Sequence, residues 1–460
     1  MTTPDRRTRV ARAAVPPGPP RRSTFSLLRK LFTDRLALMT DAAAYGDVVR
    51  VAIGPKSLYL VNHPEHAKHV LADNAANYHK GIGLREAKAV LGEGLLTSDG
   101  EVWRQQRRRV SPVFQAKRVA AHAGLVASEV DGLVRRLRAR EGHGALEIGH
   151  ELTGLTLGVL GRALLETDLG PYASLGHSFE AVQDQAMFRA VTLGMVPRWL
   201  PLRIQRRFRS SRADLFRVAD ELLDRHLAEP PGADLLRRLV PGGDRADRAQ
   251  ARAELITVLL AGHETTSSTL GWAFHLIDRH PEVAQRLHEE AVEVLGDRLP
   301  GYDDLHRLRY TAMVVEEVMR LYPPVWLLPR VAQEADEIAG YRIPAGADVV
   351  VVPYTMHRHP EFWADPGRFD PERFHPDRAA GRPRYAYIPF GAGPRFCVGN
   401  TFGMMEAVFV LAQVSRELRL STVSGYRVVP EGMLSLRVRG GLPMTVHAVG
   451  TSRGRLAAAA

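Results

Sequence analysis

Cysteine is almost absent from this chain of 460 residues, because Cys397 is the only one. A single cysteine excludes an internal disulfide, and it excludes zinc and iron–sulfur sites that take several thiolates from one chain. Three roles stay open for Cys397: a buried apolar residue, a nucleophile, or the thiolate ligand of one metal ion. With so little cysteine, the sequence gives no indication of an oxidising compartment.

Long apolar runs are also absent. One of the longest, residues 255–261, is far shorter than the ~20 residues that a membrane-spanning helix needs. Residues 1–22 are basic and proline-rich and have no apolar centre, so they do not form a secretory signal. We therefore expect a soluble, cytoplasmic protein without an integral membrane segment. In it, a flexible basic tail, residues 1–22, precedes a single domain, residues 23–460.

Lysine is scarce as well, so the formal net charge of +11 comes mostly from arginine. A surplus of this size is compatible with a nucleic acid, a membrane surface or an acidic protein as partner. The sequence has no zinc-finger spacing and no base-stacking motif, which argues against nucleic acid. A hydrophobic fraction of 45% is ordinary for a globular chain, and this length allows a large core.

Residues 390–399 place Cys397 among glycine and aromatic residues. The glycines let the backbone approach a flat, bulky partner, and the helical pattern that follows puts Cys397 at a helix N-terminus, which favours a thiolate. No histidine base accompanies it. The pattern Phe-x-x-Gly-x-Arg-x-Cys-x-Gly resembles the haem-ligand loop of the cytochrome P-450 family at every fixed position. The resemblance implies that Cys397 binds the haem iron and that Phe390 and Gly391 contact the cofactor. A buried structural cysteine is the alternative.

Residues 249–279 are predicted to form a long helix with a polar segment in an apolar setting. Gly262 in mid-helix costs about 1 kcal/mol relative to alanine, so a compensating role is expected. The segment resembles the oxygen-activation motif of the same family. The resemblance implies that Thr265 hydrogen-bonds oxygen, that Glu264 relays protons, and that Gly262 lets the helix approach the haem. A back-bond from Thr265 to its own helix and a surface ion pair of Glu264 are the alternatives. His263 is interpreted as a structural residue.

Glu317 and Arg320 lie three positions apart on a predicted helix, where they can pair, and Arg373 belongs to a Pro-Glu-Arg-Phe segment. The pair alone is a common pattern. The resemblance implies that the three side chains form a buried charged network that braces the loop of Cys397. Such a network is tolerated only when it is fully hydrogen-bonded.

Four side chains are predicted to hold the haem propionates. Trp103 and Arg107 share a face of a predicted helix, where an indole N–H and a guanidinium suit a carboxylate. A solvated basic face is the alternative for this pair. The resemblance also assigns Arg330, at the end of an extended segment, and Arg395, near the cysteine, to the propionates.

The resemblance further predicts an apolar substrate pocket, formed by Ala261, Val325, Trp326, Leu327, Leu328, Met433 and Leu434. These side chains suit an apolar small molecule. A terpenoid is the first candidate substrate and a fatty acid the second.

The motifs together extend over residues 45–447, and they imply a mainly α fold with a small β region. In this cytochrome P-450 fold, haem b (iron protoporphyrin IX) lies between two long helices. The implied activity is that of a soluble, bacterial-type haem-thiolate monooxygenase of secondary metabolism. It inserts one atom of O2 into an apolar small molecule, for example as a hydroxyl group.

We expect no fused flavin or iron–sulfur domain, since the sequence has neither a Rossmann glycine fingerprint nor a cysteine set. Electrons from NAD(P)H are therefore expected to arrive through separate proteins, a ferredoxin and its reductase, which dock on a monomer. Two alternatives stay open. One is a peroxide-driven haem-thiolate oxygenase, against which the Glu264–Thr265 pair argues. The other is a non-catalytic haem-thiolate sensor.

Overall fold

The computed structural model describes residues 14–53, 56–172, 174–192, 196–197, 199–228 and 245–449. Its secondary structure is mainly helical, which confirms the predicted fold class. The α-helices are α1 (Thr24–Thr33), α2 (Arg35–Ala43), α3 (Pro64–Lys68), α4 (Leu84–Leu91), α5 (Gly100–Val110), α6 (Ala116–Ala121), α7 (Ala123–Arg138), α8 (Ile148–Leu164), α9 (Ser174–Val191), α10 (Arg203–Ala228), α11 (Arg245–Arg279), α12 (Pro281–Leu295), α13 (Arg309–Leu321), α14 (Pro353–Met356), α15 (Pro376–Ala379) and α16 (Asn400–Glu417).

The strands form small sheets. They are β1 (Val48–Ile53), β2 (Lys56–Val61), β3 (Tyr78–Lys80), β4 (Leu146–Glu147), β5 (Leu328–Ala332), β6 (Asp336–Ile338), β7 (Tyr341–Ile343), β8 (Asp348–Val351), β9 (Leu418–Thr422), β10 (Pro430–Gly432), β11 (Leu436–Val438) and β12 (Pro443–Ala448). The largest sheet has the order β1-β2-β8-β5-β3, in which the β2–β8 pair is parallel. The others have the orders β4-β12-β9, β6-β7 and β10-β11.

The core lies among the helices, with α11 and α16 at its centre. The sequence of α16 is apolar around almost its whole circumference, and residues 405–415 are buried, as expected for a helix surrounded by others. Helix α11 is 35 residues long, because it starts four residues before the predicted helix of residues 249–279, and it ends before Pro281, which starts α12. It packs against α8, α13 and α16, so its middle is held rigidly beside the loop that precedes α16.

The N-terminal segment corrects one expectation. From residue 14 onwards it lies against the sheets: the Arg50 N–H donates to the Pro17 carbonyl at 2.8 Å, and the Arg342 N–H donates to the Ala14 carbonyl at 3.2 Å. Gly18 permits this contact, because a Cβ there would lie 2.0 Å from the Arg50 oxygen. Residues 14–22 are therefore a docked strap and not a flexible tail, since β1 and β7 offer free backbone groups. Residues 1–13 and 450–460 lie outside the described residues.

Among the described helices, none combines the length and the apolarity that a bilayer crossing requires.

Candidate active site

A cavity of about 460 Å³ lies between α11, the loop of Cys397 and strand β5. Every residue predicted to contact the metal, the cofactor, oxygen or the substrate lines this cavity. The structure therefore brings together side chains that are up to about three hundred positions apart in the sequence. The three members of the predicted charged network do not line it, as expected for a bracing role outside the pocket.

The loop before α16 turns the side chain of Cys397 into the cavity. The Cys397 N–H donates to the Phe390 carbonyl at 3.0 Å, which closes the loop. Gly391 and Gly393 have φ values of 70° and 68°, a backbone region that favours glycine. A Cβ on Gly393 would lie 1.9 Å from the Leu71 carbonyl oxygen. These glycines are needed for the loop itself, and the open side of Gly391 is available to a flat cofactor.

The protein alone does not favour the thiolate form of Cys397. Burial raises its pKa, while the Gly399 N–H and the positive charge of Arg107 offset part of that rise. Helix α16 starts only at Asn400, so the helix terminus acts on the sulfur less directly than the sequence suggested. A metal ion deprotonates a thiol that coordinates it. Because the sulfur is open to the cavity and has no acid or histidine set around it in the described residues, it fits a single-thiolate iron.

A cluster of cations lines the cavity beside β5. Lys80 on β3 lies directly opposite Arg330 on β5, and like charges in such a pair repel each other. Arg330 is 5% exposed, and burial together with the charge of Arg395 lowers its pKa to about 10. Burial and these two arginines hold the pKa of Lys80 well below its usual value. Asp99, which pairs with Arg395, supplies a single negative charge here.

This excess of buried positive charge fits the two propionates of a haem, because an anionic partner would offset the desolvation of the cations. The Arg395 guanidinium lies 4.4 Å over the Trp103 ring, and Arg107 donates to the Phe396 carbonyl at 2.6 Å. The predicted side chains therefore converge, and Lys80 joins them. Lys80 was not predicted from the sequence, since its burial depends on a three-residue strand that pairs with a segment about 250 positions away.

The polar segment of α11 faces the same cavity. Thr265 Oγ1 donates to the Ala261 carbonyl at 2.8 Å, so the back-bond that the sequence left as an alternative is present. The lone pairs of that hydroxyl stay available to accept a hydrogen bond. Glu264 Oε1 accepts from Ser435 Oγ at 2.5 Å, and Glu264 Oε2 lies 3.8 Å from the Nε2 of buried His263. Glu264 is thus part of the pocket and not of a surface ion pair.

Gly262 also has a role in helix packing. It lines the cavity, and a Cβ on this residue would point at α8 and lie 2.8 Å from Leu160 Cδ1. Its lack of a side chain therefore favours close packing of α8 against α11. This packing is one compensation for glycine at this position, and the approach of the backbone to a haem stays a prediction.

Glu317, Arg320 and Arg373 form the predicted buried network. Arg320 donates through Nε and Nη2 to both carboxylate oxygens of Glu317, at 2.6 and 2.8 Å, and both side chains are fully buried. Arg373 Nε lies 3.4 Å from Glu317, which also accepts from the Asp370 N–H. Arg320 makes three further hydrogen bonds, to the carbonyls of His357, Pro366 and Arg368. The pair is therefore fully hydrogen-bonded, as a buried ion pair must be.

His357 connects this network to the cysteine loop. Its carbonyl accepts from Arg320, and its Nε2 accepts from the Ile388 N–H at 2.9 Å. The Ile388 carbonyl in turn accepts from the Gly391 N–H at 3.0 Å, in the loop that carries Cys397. Burial and the charge of Arg320 lower the pKa of His357 to about 3, so its ring is neutral and can accept. Sequence analysis gave this histidine no role, because its partner lies about thirty positions away.

The apolar residues predicted to surround the substrate divide into two groups. Val325, Leu327 and Leu328 are partly exposed to the cavity. Trp326 is buried, and its indole N–H donates to the Met433 carbonyl at 2.8 Å, which holds the turn between β10 and β11 in place. Trp326 thus acts mainly by positioning Met433 and its neighbour Leu434.

A single thiolate, a cationic wall and a threonine–glutamate segment around one cavity in a mainly α fold define a haem-thiolate protein. The family model for cytochrome P-450 matches residues 16–438. Similar proteins include cyclooctatin synthase of Streptomyces melanosporofaciens, 38% identical over 412 residues that cover 87% of this chain and 89% of the relative. The chain belongs to the cytochrome P-450 family, and it is a monooxygenase of the oxidoreductase class.

Two further relatives have informative names. Cyclooctat-9-en-7-ol 5-monooxygenase of the same organism is 35% identical over 399 residues, which cover 85% of this chain and 86% of the relative. Pentalenene oxygenase of Streptomyces avermitilis is 31% identical over 408 residues, which cover 87% of this chain and 90% of the relative. By their names, the first acts on cyclooctat-9-en-7-ol and the second on pentalenene.

Proposed function

We propose that this protein oxidises a terpenoid, with electrons delivered by a separate ferredoxin and its reductase. The observation that carries the proposal is the apolar lining of the cavity next to α11, formed by Val325, Leu327, Leu328 and the Met433–Leu434 turn. Terpenoid oxidation by similar proteins supports it. An apolar skeleton gains binding free energy by leaving water for such a surface.

The residues at the site would have separate roles. Cys397 would hold the iron of haem b, and Arg107, Arg330, Arg395 and Trp103 would hold its propionates. Haem, when bound, supplies the O2 activation that no side chain can provide. The chain's own contribution is to position the substrate, to exclude water from the apolar pocket, and to handle protons in the α11 segment.

Two side chains of α11 can hold or move a proton. Thr265 Oγ1 can accept a hydrogen bond while it donates to Ala261, and the Glu264 carboxylate can take up a proton or release it. The hydrogen bond from Ser435 keeps Glu264 next to Thr265 at the cavity wall. This arrangement favours O2-dependent turnover over a peroxide-driven reaction, which needs no proton-handling pair.

The test is a ligand panel followed by turnover. The haem-loaded protein is titrated with cyclic and linear terpenoids and with fatty acids, and the haem spin-state shift reports binding. Ligands that bind are then incubated with NADPH and a surrogate ferredoxin and reductase, or with hydrogen peroxide instead. Oxygenated terpenoid products that require NADPH are the expected result. Turnover only of fatty acids, or only with peroxide, would contradict the proposal.

A further inference from the structure

Two basic side chains lie in an otherwise apolar wall of the cavity. Arg35, the first residue of α2, and Lys56, the first residue of β2, line it next to Leu31, Met39 and Leu58. Met39 belongs to an apolar cluster in which Leu31 and Leu58 also take part. Cations in such a wall are expensive to desolvate unless something pairs with them.

Arg35 has a donor without a partner. Its Nη1 donates to the Gly432 carbonyl at 2.9 Å and lies 3.6 Å from Met433 Sδ, at a turn that lines the cavity. Its Nε, however, is buried and makes no hydrogen bond to the described residues. The nearby acid Glu431 is bound by Arg437 at 3.1 Å. Burial lowers the pKa of Arg35, and the negative charge of Glu431 offsets part of that shift.

Lys56 is also without an acidic partner in the part of the chain that the structure describes. Lys30, Lys68 and Lys88 each pair with a nearby carboxylate, namely that of Asp41, Asp73 or Glu93. No such pair is formed by Lys56, although it is partly buried beside the cavity. Both cations therefore have donor capacity that the described residues do not use.

We propose that Arg35 and Lys56 form a subsite for an oxygen-bearing end of the substrate, while its apolar body lies between this end and Thr265. Guanidinium and ammonium groups only donate hydrogen bonds, so the group that they bind must accept them. A carboxylate is the strongest such acceptor, and a hydroxyl oxygen is a weaker one. The inference rests on the proposed function, and it narrows the substrate to a terpenoid that already carries oxygen.

The haem does not account for these two side chains. Its propionates are matched by the cations near β5, which are linked to one another through Asp99, Trp103 and the cysteine loop. Arg35 is instead linked to the turn between β10 and β11. If the substrate arrives with an oxygen substituent, an earlier reaction must have introduced it. This enzyme would then act on the product of a first oxygenation or hydration of the hydrocarbon.

The experiment compares ligands that share one skeleton: geranylgeranoic acid, geranylgeraniol and the parent hydrocarbon. Dissociation constants are measured by spin-state titration and by equilibrium dialysis of the haem-loaded protein. The variants are Lys56→Met, which keeps the length of the side chain, and Lys56→Glu. Lys117→Met, at an exposed position of α6 away from the cavity, is the matched control. Arg35 is left intact, because it also holds the Gly432 carbonyl.

In the wild type we expect the acid to bind most tightly and the hydrocarbon least. Lys56→Met should weaken binding of the acid about tenfold and leave the hydrocarbon unchanged, since one charge-assisted hydrogen bond is lost. Lys56→Glu should weaken binding of the acid further, and Lys117→Met should leave the affinity for every ligand unchanged. Two results would overturn the subsite. One is equal affinity of the wild type for the acid and the hydrocarbon, and the other is an equal loss of affinity for both ligands in Lys56→Met.

The series also separates this inference from the proposed function. If the terpenoid ligands bind but the affinities of the acid and the alcohol do not depend on Lys56, the terpenoid substrate stands and the subsite does not. If no terpenoid binds, the same comparison is made with a fatty acid, its alcohol and its alkane. If Lys56→Met then weakens binding of the fatty acid but not of its alkane, the subsite is supported and a terpenoid substrate is rejected. No selective loss would reject both.

Discussion

Thr265 and Glu264, the proposed proton-handling pair, each make one hydrogen bond that orients the side chain at the cavity wall. The Thr265 hydroxyl proton is engaged by the Ala261 carbonyl, so this residue can accept a proton from a donor before it passes one on. Glu264 is held by Ser435, a residue about 170 positions away in the sequence. The two side chains therefore sit in fixed orientations at the wall of the cavity, where loss of either hydroxyl or carboxylate should affect proton handling more than binding.

Thr265→Ala should uncouple NADPH oxidation from product formation. The substitution removes one hydroxyl but keeps α11, so haem content and substrate affinity should be unchanged. Acid–base groups contribute about 10²–10⁴-fold, and water can replace a hydroxyl in part, so we expect the lower end of that range or less. Product per NADPH should fall while hydrogen peroxide rises. Thr40→Ala is the control, since Thr40 makes the same back-bond, to Leu36, outside the cavity. An unchanged product-to-NADPH ratio would leave Thr265 with a structural role only.

Cys397→Ala should abolish the thiolate signature of the haem. The chain has no second thiol that could replace this ligand. Carbon monoxide binding to the reduced protein gives the measurement, because a thiolate ligand produces a characteristic red-shifted Soret band. A band at the same position in the variant would contradict the assignment of Cys397.

At the scale of elements, helix α13 is joined to the cysteine loop by polar contacts that pass through the segment after α14. The sequence predicted both ends of this connection, because Glu317–Arg320 and the cysteine loop are local motifs with fixed spacing. It did not predict that His357 connects these two ends, that Lys80 lies opposite Arg330, or that Ser435 donates a hydrogen bond to Glu264. Each of these contacts joins segments far apart in the chain, and side-chain patterns report only on neighbours along a helix or strand. The contact of Gly262 with Leu160 was not predicted for the same reason, since Leu160 is on another helix.

Arg320→Ala should prevent accumulation of haem-loaded protein. It leaves the carboxylate of Glu317 buried with its main counter-charge removed, and breaking such a pair typically costs about 3–5 kcal/mol. The haem-to-protein ratio and the melting temperature give the measurement. The exposed Arg384, also outside the cavity, supplies a control in Arg384→Ala. Normal haem content and melting in Arg320→Ala would show that the network does not brace the loop.

His357→Phe tests the connection between the network and the loop. Phenylalanine keeps an aromatic ring but cannot accept from the Ile388 N–H, and an unsatisfied buried donor costs about 1–3 kcal/mol. We expect a lower melting temperature and faster loss of haem to an acceptor protein than in the wild type. His143→Phe, at an exposed position, should change neither. Equal rates of haem loss in His357→Phe and the wild type would mean that the loop holds its shape without this contact.

At the scale of the whole molecule, buried acids make stability depend on pH in an unusual direction. Burial raises the pKa of Glu406 on α16 from its ordinary 4.5 to about 8, and it raises those of Glu254 and Glu316 to about 7. The folded state therefore keeps protons that the unfolded chain releases. Their contribution to stability is complete below pH 4.5, and it is lost progressively as the pH rises from there to about 7 to 8.

Glu406→Gln should reduce this loss, because glutamine has the same shape and does not titrate. Between pH 4.5 and neutrality the shift of Glu406 corresponds to on the order of 3 kcal/mol. Urea unfolding at about pH 5.5 and about pH 8 gives the free energy of unfolding for both proteins. The wild type should lose more stability over this interval than the variant. If the free energies of unfolding of the wild type and the variant change with pH in parallel, Glu406 does not cause the loss of stability.

The net charge of +11 belongs to the whole surface, and it bears on the delivery of electrons. If the ferredoxin is acidic, long-range attraction should speed their encounter, and salt should weaken it because the Debye length falls to about 8–10 Å near physiological ionic strength. We expect the rate of haem reduction to fall as salt rises, with the dissociation constant of an uncharged ligand unchanged. Stopped-flow reduction at several salt concentrations gives the rate, and spin-state titration in the same buffers gives the control. Electron delivery with no salt dependence would exclude steering by charge. A parallel loss of ligand affinity would point to an effect of salt on the fold.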